Sequence, residues 1–254
     1  HSYLLPLSLK SIDSNVKIME SSNNLLYAIE ISSGLITKST LLTRDTYFKI
    51  NKNNSIINDI SGVFTLEGLI CVNKFRDEND VGDVQISTFM GTEGDGMTLL
   101  RFGDAGIPGN HLQANEYEIE IDFQTNKWYH IALVVDNGES IVYINGEEVI
   151  SFWKNGSLGE FYIGRSYNDD RGIEARVSEL RIWQTARTPD EIKECMYGAK
   201  DLTGIYAYWK MNQVKDGKIE DISGNENHLE LWGQANATGR QPIKIIDEKG
   251  IDVE

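Results

Sequence analysis

The feature that most limits what this chain can fold into is a rhythm. From Tyr47 onward short apolar runs recur with Gly, Asn or Asp between them, and nearly all are too short for helices. "FTLEGLICV" (64–72), "DVQISTFMG" (83–91), "GMTLLRFGD" (96–104), "EYEIEIDFQ" (116–124) and "KWYHIALVVD" (127–136) come first. "EFYIGRS" (160–166), "ARVSELRIWQ" (175–184), "GIYAYWKM" (204–211) and "HLELW" (228–232) follow. "SIVYINGEEVIS" (140–151) adds a hairpin around Asn145-Gly146, a pair that suits a type I′ turn because both central residues take positive φ. With 23 glycines and four prolines, this spacing predicts an all-β chain, a β-sandwich or jelly roll.

One helix interrupts the pattern. In "TPDEIKECMYG" (188–198), Thr188 is placed as N-cap, Pro189 at the first helical position and Glu191 where it closes a capping box. Gly198 is expected at the left-handed position that ends it, after about two and a half turns. The N-terminal segment reads as two strands, "YLLPLSLKSI" and "NNLLYAIEIS", too little to stand alone as a domain. The polar residues 35–46 read as a linker, which divides the chain into 1–34, 35–46 and 47–254.

Bulk charge narrows the partners. The formal net charge is −15, which disfavours nucleic acid and anionic membrane, since both select clustered Lys and Arg. No apolar run reaches the roughly 18 residues of a spanning helix. Cys71 and Cys195 form no C-x-x-C pair; one disulfide between them is conceivable, but spacing does not establish it. The chain opens at His1 with no charged-then-apolar leader and reads as a mature or trimmed piece of a longer protein.

Several stretches, taken in order, resemble the laminin-G-like group of concanavalin A-like lectin/glucanase domains. They are "FTLEGLICV", "KWYHIALVVDNGESIVYINGEEV", "FYIGRS", "VSELRIWQTARTPDEI" and "IYAYWKMNQVKDGKIEDISGNENHLEL". "YLLPLSLKSIDS…NNLLYAIEIS" is similar to the tail of a small Ig-like domain that precedes such domains in surface lipoproteins of Bacteroidetes. The resemblance implies an exported, extracellular protein of the outer-membrane surface, tethered only through a lipid anchor outside this chain. It implies neither a known ligand nor a shared catalytic motif; the leading reading is a lectin-like, non-catalytic module that captures an oligo- or polysaccharide. A monomer is expected.

Jelly-roll glycosidases of the same fold carry Glu-x-Asp-x-(x)-Glu on one strand, two glutamates acting as nucleophile and acid/base. In residues 116–124 the alternation places Glu116, Glu118, Glu120, Asp122 and Gln124 on one face. Glu120 and Asp122 fit the first half of the motif, but the acid/base position holds Gln124, whose amide donates no proton to a leaving oxygen. The reading adopted is a strand with one solvated face; a glycoside hydrolase using these acidic residues and a protein-interaction module are the alternatives. His130 is expected to be a satisfied core histidine and His228 to pin the turn before it.

No cofactor is required by any motif. A structural calcium ion is an open expectation at two acidic loops, through Asp77, Asp80 and Asp83 in "RDENDVGD" and through Asp169 and Asp170 in "RSYNDDRG", because hard cations gather oxygens. Sugars need an aromatic ring face with planar polar groups beside it. Trp128 and Trp209 read as core and Trp183 as packing under the helix. That leaves Trp153, Trp232 and Tyr167 as platform candidates, with Arg101 and Asn168 as polar partners. Arg101 leads into a long, polar, Gly-rich loop with Asn110, His111 and Gln113.

Overall fold

The computed structural model describes residues 17–18, 36–51, 57, 60–77, 79–80, 85–166 and 168–253. In chain order the strands are β1 Lys17–Ile18, β2 Lys38–Leu42, β3 Thr46–Ile50, β4 Val63–Lys74, β5 Ser87–Gly91 and β6 Leu99–Asp104. Next come β7 Ile107–Ala114, β8 Tyr117–Ile119, β9 Trp128–Asp136, β10 Glu139–Ile144, β11 Glu147–Trp153, β12 Tyr162–Ile163 and β13 Glu174–Trp183. Helix α1 Pro189–Cys195 precedes β14 Ile205–Trp209, β15 Leu229–Gly233, β16 Gly239–Arg240 and β17 Ile245–Asp247.

The strands make two antiparallel sheets. One runs β1-β11-β10-β9-β4-β13-β2-β17, with β14 also paired to β13. The second runs β16-β15-β3-β12-β5-β6-β7-β8. Their inner faces enclose one core that includes Phe48, Phe64, Phe89, Phe102, Phe161 and Trp209, each fully buried. The fold is the expected β-sandwich.

Local chemistry explains the joints. Asn145 and Gly146 carry φ of +54° and +80°, as a type I′ turn requires, and join β10 to β11. The capping box of α1 is present in full: Thr188 accepts from Glu191 N, and Glu191 accepts from Thr188 N. The helix stops at Cys195 with Met196 as C-cap, so Gly198 lies two residues past the cap rather than beside it, and α1 is about two turns long. Asp221 holds the corner before β15 by accepting backbone N–H bonds from Tyr208, Ser223 and Asn227. His228 Nδ1 accepts from Asp221 N at 3.1 Å, which pins that turn as expected.

Three expectations change, and the question of a disulfide is answered. Within the segment read as a linker, residues 38–42 form β2, inside the first sheet between β13 and β17. Residues 107–114, read as loop, form β7; Pro108 sits near its start and Gly109 where an added Cβ would lie 1.9 Å from Arg76 O. Strand pairing in 116–124 ends at Ile119. Cys71 and Cys195 are free thiols, packed against Arg176 and Arg187. Apart from β1, which pairs with β11, the two-strand reading of 1–34 lies outside the described residues.

Candidate functional site

The outer face of the first sheet is closed over part of its area. Ile192 of α1 packs on Ala132, Val134 and Tyr143. Trp183, Ile205 and Tyr208 pack together beside them. Beneath this cap lies a buried ionic network centred on Glu67, which takes Trp183 Nε1 at 2.7 Å, Arg181 Nε at 2.9 Å and His130 Nε2 at 3.0 Å. Burial pushes the Glu67 carboxyl up, but Arg181 and His130 outweigh it and hold the pKa at about 2. His130 is a core histidine as expected, although its Nδ1 has no partner.

Among the described residues no helix covers the outer face of the second sheet, although several side chains on it, Tyr47 and Gln113 among them, are themselves buried. Because strand side chains alternate and Phe48, Ile50, Leu229, Leu231, Ile163, Leu100, Phe102 and Leu112 all enter the core, their neighbours point out. The outward row therefore carries Trp232, Tyr47 and Lys49, Tyr162, Arg101, Gln113 and Glu118. Pairing sets them side by side: Trp232 opposite Tyr47, Lys49 opposite both Glu230 and Tyr162, and Arg101 opposite Gln113. Four strand spacings separate Trp232 from Arg101, about 19 Å at ~4.8 Å each.

Cations and rings are interleaved on this floor. Lys49 Nζ lies 3.8 Å from the Trp232 ring centroid. Tyr47 and Tyr162 meet edge to face at 5.4 Å, with the Arg165 guanidinium 4.6 Å from the first ring. Tyr162 donates to Glu160, and burial followed by that carboxylate raises its phenol pKa far above the ordinary value. Arg101 donates from Nε to Gln113 Oε1 at 2.8 Å and pairs with Asp104.

Two connected clefts rise from this floor at the β5–β6 hairpin. One, about 290 Å³, is lined by loop residues 92–97 with Arg101, Asn115, Glu116 and Lys154. The other, about 270 Å³, is lined by Gly91, Thr92, Glu93, Glu160, Tyr162, Arg165 and Ser166. Thr92 and Glu93 form their shared wall, and Glu93 takes Arg171 at 3.4 Å and Arg101 at 3.8 Å. The loop is pinned at its base by Thr92 N to Thr98 O at 2.8 Å and at its tip by Ser157 Oγ to Gly96 O at 2.9 Å. Such a small, polar, braced cleft suits a hydroxyl-rich ligand better than an apolar one.

Of the sequence candidates, Trp232 and Arg101 lie on the same face of the second sheet, four strand spacings apart. Trp153 is exposed at the end of β11, with its indole against Gly138; its neighbour Lys154, not Trp153, lines the first cleft. Asn168 caps the 3₁₀ turn Asp169–Arg171 by accepting from Asp170 N, and it lines neither cleft. Tyr167 and Asp83 lie outside the described residues. Asp80 is held by Arg44 and accepts from Asp77 N at 2.7 Å, while Asp169 pairs with Arg165 at 3.0 Å. Asp170 is exposed. Among the described residues no three His, Cys, Asp or Glu side chains converge to hold a metal ion. Tyr162, Tyr47, Arg165 and Glu93 went unnoticed in the sequence, although strand parity in "TYFKI" and "FYIGRS" turns both tyrosines outward.

The acidic run does not form a pair of free carboxylates. Glu118 meets His111 Nδ1 at 2.7 Å, and Asp122 meets His111 Nε2 and Asn110 Nδ2, both at 3.1 Å. Glu116 pairs with Lys154.

Residues 74–193 match the family model described as the concanavalin A-like lectin/glucanases superfamily. A solved structure of a candidate carbohydrate-binding protein from Bacteroides ovatus is 28% identical, with a TM-score of 0.63. The alignment covers 86% of this chain and 62% of that one, so this chain spans about three fifths of that relative. Domain 4 of AbnA, an extracellular arabinanase of Geobacillus stearothermophilus solved with arabinotriose, aligns at 23% identity and a TM-score of 0.42. It covers 54% of this chain and 68% of that domain. A search of the curated proteins finds no match. The family description spans lectins and glucanases, so the fold alone leaves binding and hydrolysis both open.

Proposed function

We propose that this chain is a non-catalytic carbohydrate-binding module whose ligand lies across the strands of the second sheet, from Trp232 to the clefts beside Arg101. The observation that carries the reading is the outward row of rings and guanidinium groups ending at a braced polar wall. Trp232 and Tyr162 offer faces and edges to pyranose rings, and Arg101, Glu93 and Arg165 offer planar donors and acceptors to hydroxyls. A floor of about 19 Å suits an oligo- or polysaccharide rather than a single sugar. The Bacteroides ovatus relative, itself a candidate carbohydrate-binding protein, supports the same class of ligand.

Hydrolysis is the weaker reading. Glu118 and Asp122 share one imidazole instead of flanking an open bond, and Gln124 replaces the acid. Binding needs no cofactor in this proposal, and a calcium ion at the Asp80 loop would have to displace Arg44. The resemblance noted in the sequence extends the proposal to a monomeric module of an exported bacterial surface lipoprotein that holds glycan for neighbouring proteins.

The test is affinity electrophoresis of the chain through a panel of plant and host polysaccharides, with Tyr162→Ala and Arg101→Ala beside the parent. Retardation by at least one polysaccharide, lost in both variants, is expected. Retardation unchanged in both variants would move the ligand off this face.

A further inference from the structure

The far end of the first sheet, away from α1, holds a third cleft with a different charge character. It measures about 300 Å³ and is lined by Leu41, Asn73, Asn126, Arg176, Ile246 and the turn 248–250. Pairing puts Leu41, Arg176, Cys71 and Trp128 in one row across β2, β13, β4 and β9. Their chain neighbours Leu42, Ala175, Val177, Ile70, Val72 and Tyr129 enter the core, so this row faces outward.

Arg176 is the unusual member. Arg44, Arg101, Arg165, Arg171, Arg181, Arg187 and Arg240 each meet a carboxylate within 4.0 Å. Among the described residues Arg176 meets none: its Nη2 donates to Cys71 Sγ at 3.3 Å, its Nε has no partner there, and its guanidinium lies 5.6 Å from the Trp128 ring. Burial holds the Cys71 thiol above its ordinary pKa, so that contact is to a neutral group. An uncompensated guanidinium stands out in a chain of net charge −15. Lys249 lines the same cleft and adds a second positive charge, against one negative charge from Glu248. Asn73 donates to Asn126 Oδ1 at 3.1 Å, while its own Oδ1 has no donor.

We infer that this cleft binds a carboxylate-bearing sugar, a uronic acid residue, with its carboxylate on Arg176 and Lys249 and its hydroxyls on Asn73 and Asn126. A guanidinium recognises a planar carboxylate through paired N–H donors, and the amide groups answer hydroxyls that a simple anion lacks. The site is separate from the floor of the second sheet and stands whether or not that floor binds glycan.

The experiment is calorimetric titration of the purified chain with galacturonate, galactose, acetate and an acidic tetrapeptide, repeated with Arg176→Gln and Lys249→Gln. Galacturonate is expected to bind saturably, about tenfold or more tighter than the other three, and Arg176→Gln to weaken it by about tenfold or more. Lys249, in an exposed turn, provides a variant whose folding is not at issue, and it should weaken binding in the same direction. Circular dichroism melting of Arg176→Gln should match the parent. Equal binding of acetate would reduce the cleft to a bare anion contact, and equal binding of the peptide would assign it to protein. Either result, an absence of saturable galacturonate binding, or variants that titrate like the parent would overturn the inference.

Discussion

Replacing Glu67 by Gln is the sharpest perturbation of the fold, because one side chain contacts three buried neighbours and neutralises Arg181. Glu67 and Arg181 have fully buried side chains, as does His130. Removing the charge from one member of a buried pair leaves the other uncompensated and typically costs about 3–5 kcal/mol. The proton linkage gives an independent figure. The Glu67 pKa falls from 4.5 to about 2 on folding; at about 1.4 kcal/mol per unit, that difference is worth about 3 kcal/mol. Because the folded pKa is the lower one, this stability is fully present above pH 4.5 and is lost as pH falls towards 2. At neutral pH the E67Q variant should melt roughly 6–20 °C below the parent, from about 2–4 °C per kcal/mol for a chain of this size. Thermal melts followed by circular dichroism from pH 7 to pH 2 provide the assay. The parent should lose stability more steeply than E67Q between pH 4.5 and 2, so that the two curves converge in acid. A neutral-pH difference below about 0.5 kcal/mol, or parallel curves throughout, would refute the claim that Glu67 organises this layer as a charged group.

Other outcomes follow from single contacts. Thr188→Ala removes both the acceptor for Glu191 N and the side chain that Glu191 answers, and denaturant titration should show a loss of about 1 kcal/mol. Gly103→Ala should cost more, about 1–3 kcal/mol, since φ is +70° and the new Cβ would lie 2.1 Å from Gln85 O. Because Asp80 is held by Arg44 and Asp169 by Arg165, calcium and chelator should leave the melting temperature unchanged; a rise on adding millimolar calcium would show that a metal displaces one of these arginines.

How far the sequence could be read depended on what each signal reports. The hairpin across Asn145-Gly146 and the capping box at Thr188 were legible because each is set by a few adjacent residues whose backbone demands are local. The alternation in 116–124 was also a true signal, but of burial and not of pairing. Ile119, Ile121 and Phe123 are buried as their period requires, yet past Ile119 the backbone turns on itself, with Ile121 N bonded to Ile119 O and Phe123 N to Ile121 O. β7 still reaches this stretch, since Phe123 N also donates to Asn110 O at 3.1 Å; a side-chain period cannot show that regular pairing has given way to local turns. β7 was missed for the opposite reason: Pro108 and Gly109 read as breakers, while Gly109 is needed because Arg76 O passes too close for a Cβ. At the site, Trp232 and Arg101 were visible by residue type. Strand parity within its own segment already turns Tyr162 outward, but Glu93 and Arg165 became visible beside it only when β12, β5 and β3 were set side by side.

The central claim, that the outer face of the second sheet holds a glycan without cleaving it, is tested most directly by titrating the polysaccharide found by electrophoresis into the parent and Tyr162→Ala, while assaying the same solutions for new reducing ends. The account predicts saturable binding by the parent, weakening of about tenfold or more in the variant, and no release of sugar. Release of sugar that disappears with Glu118→Gln would contradict it and make residues 116–124 catalytic after all.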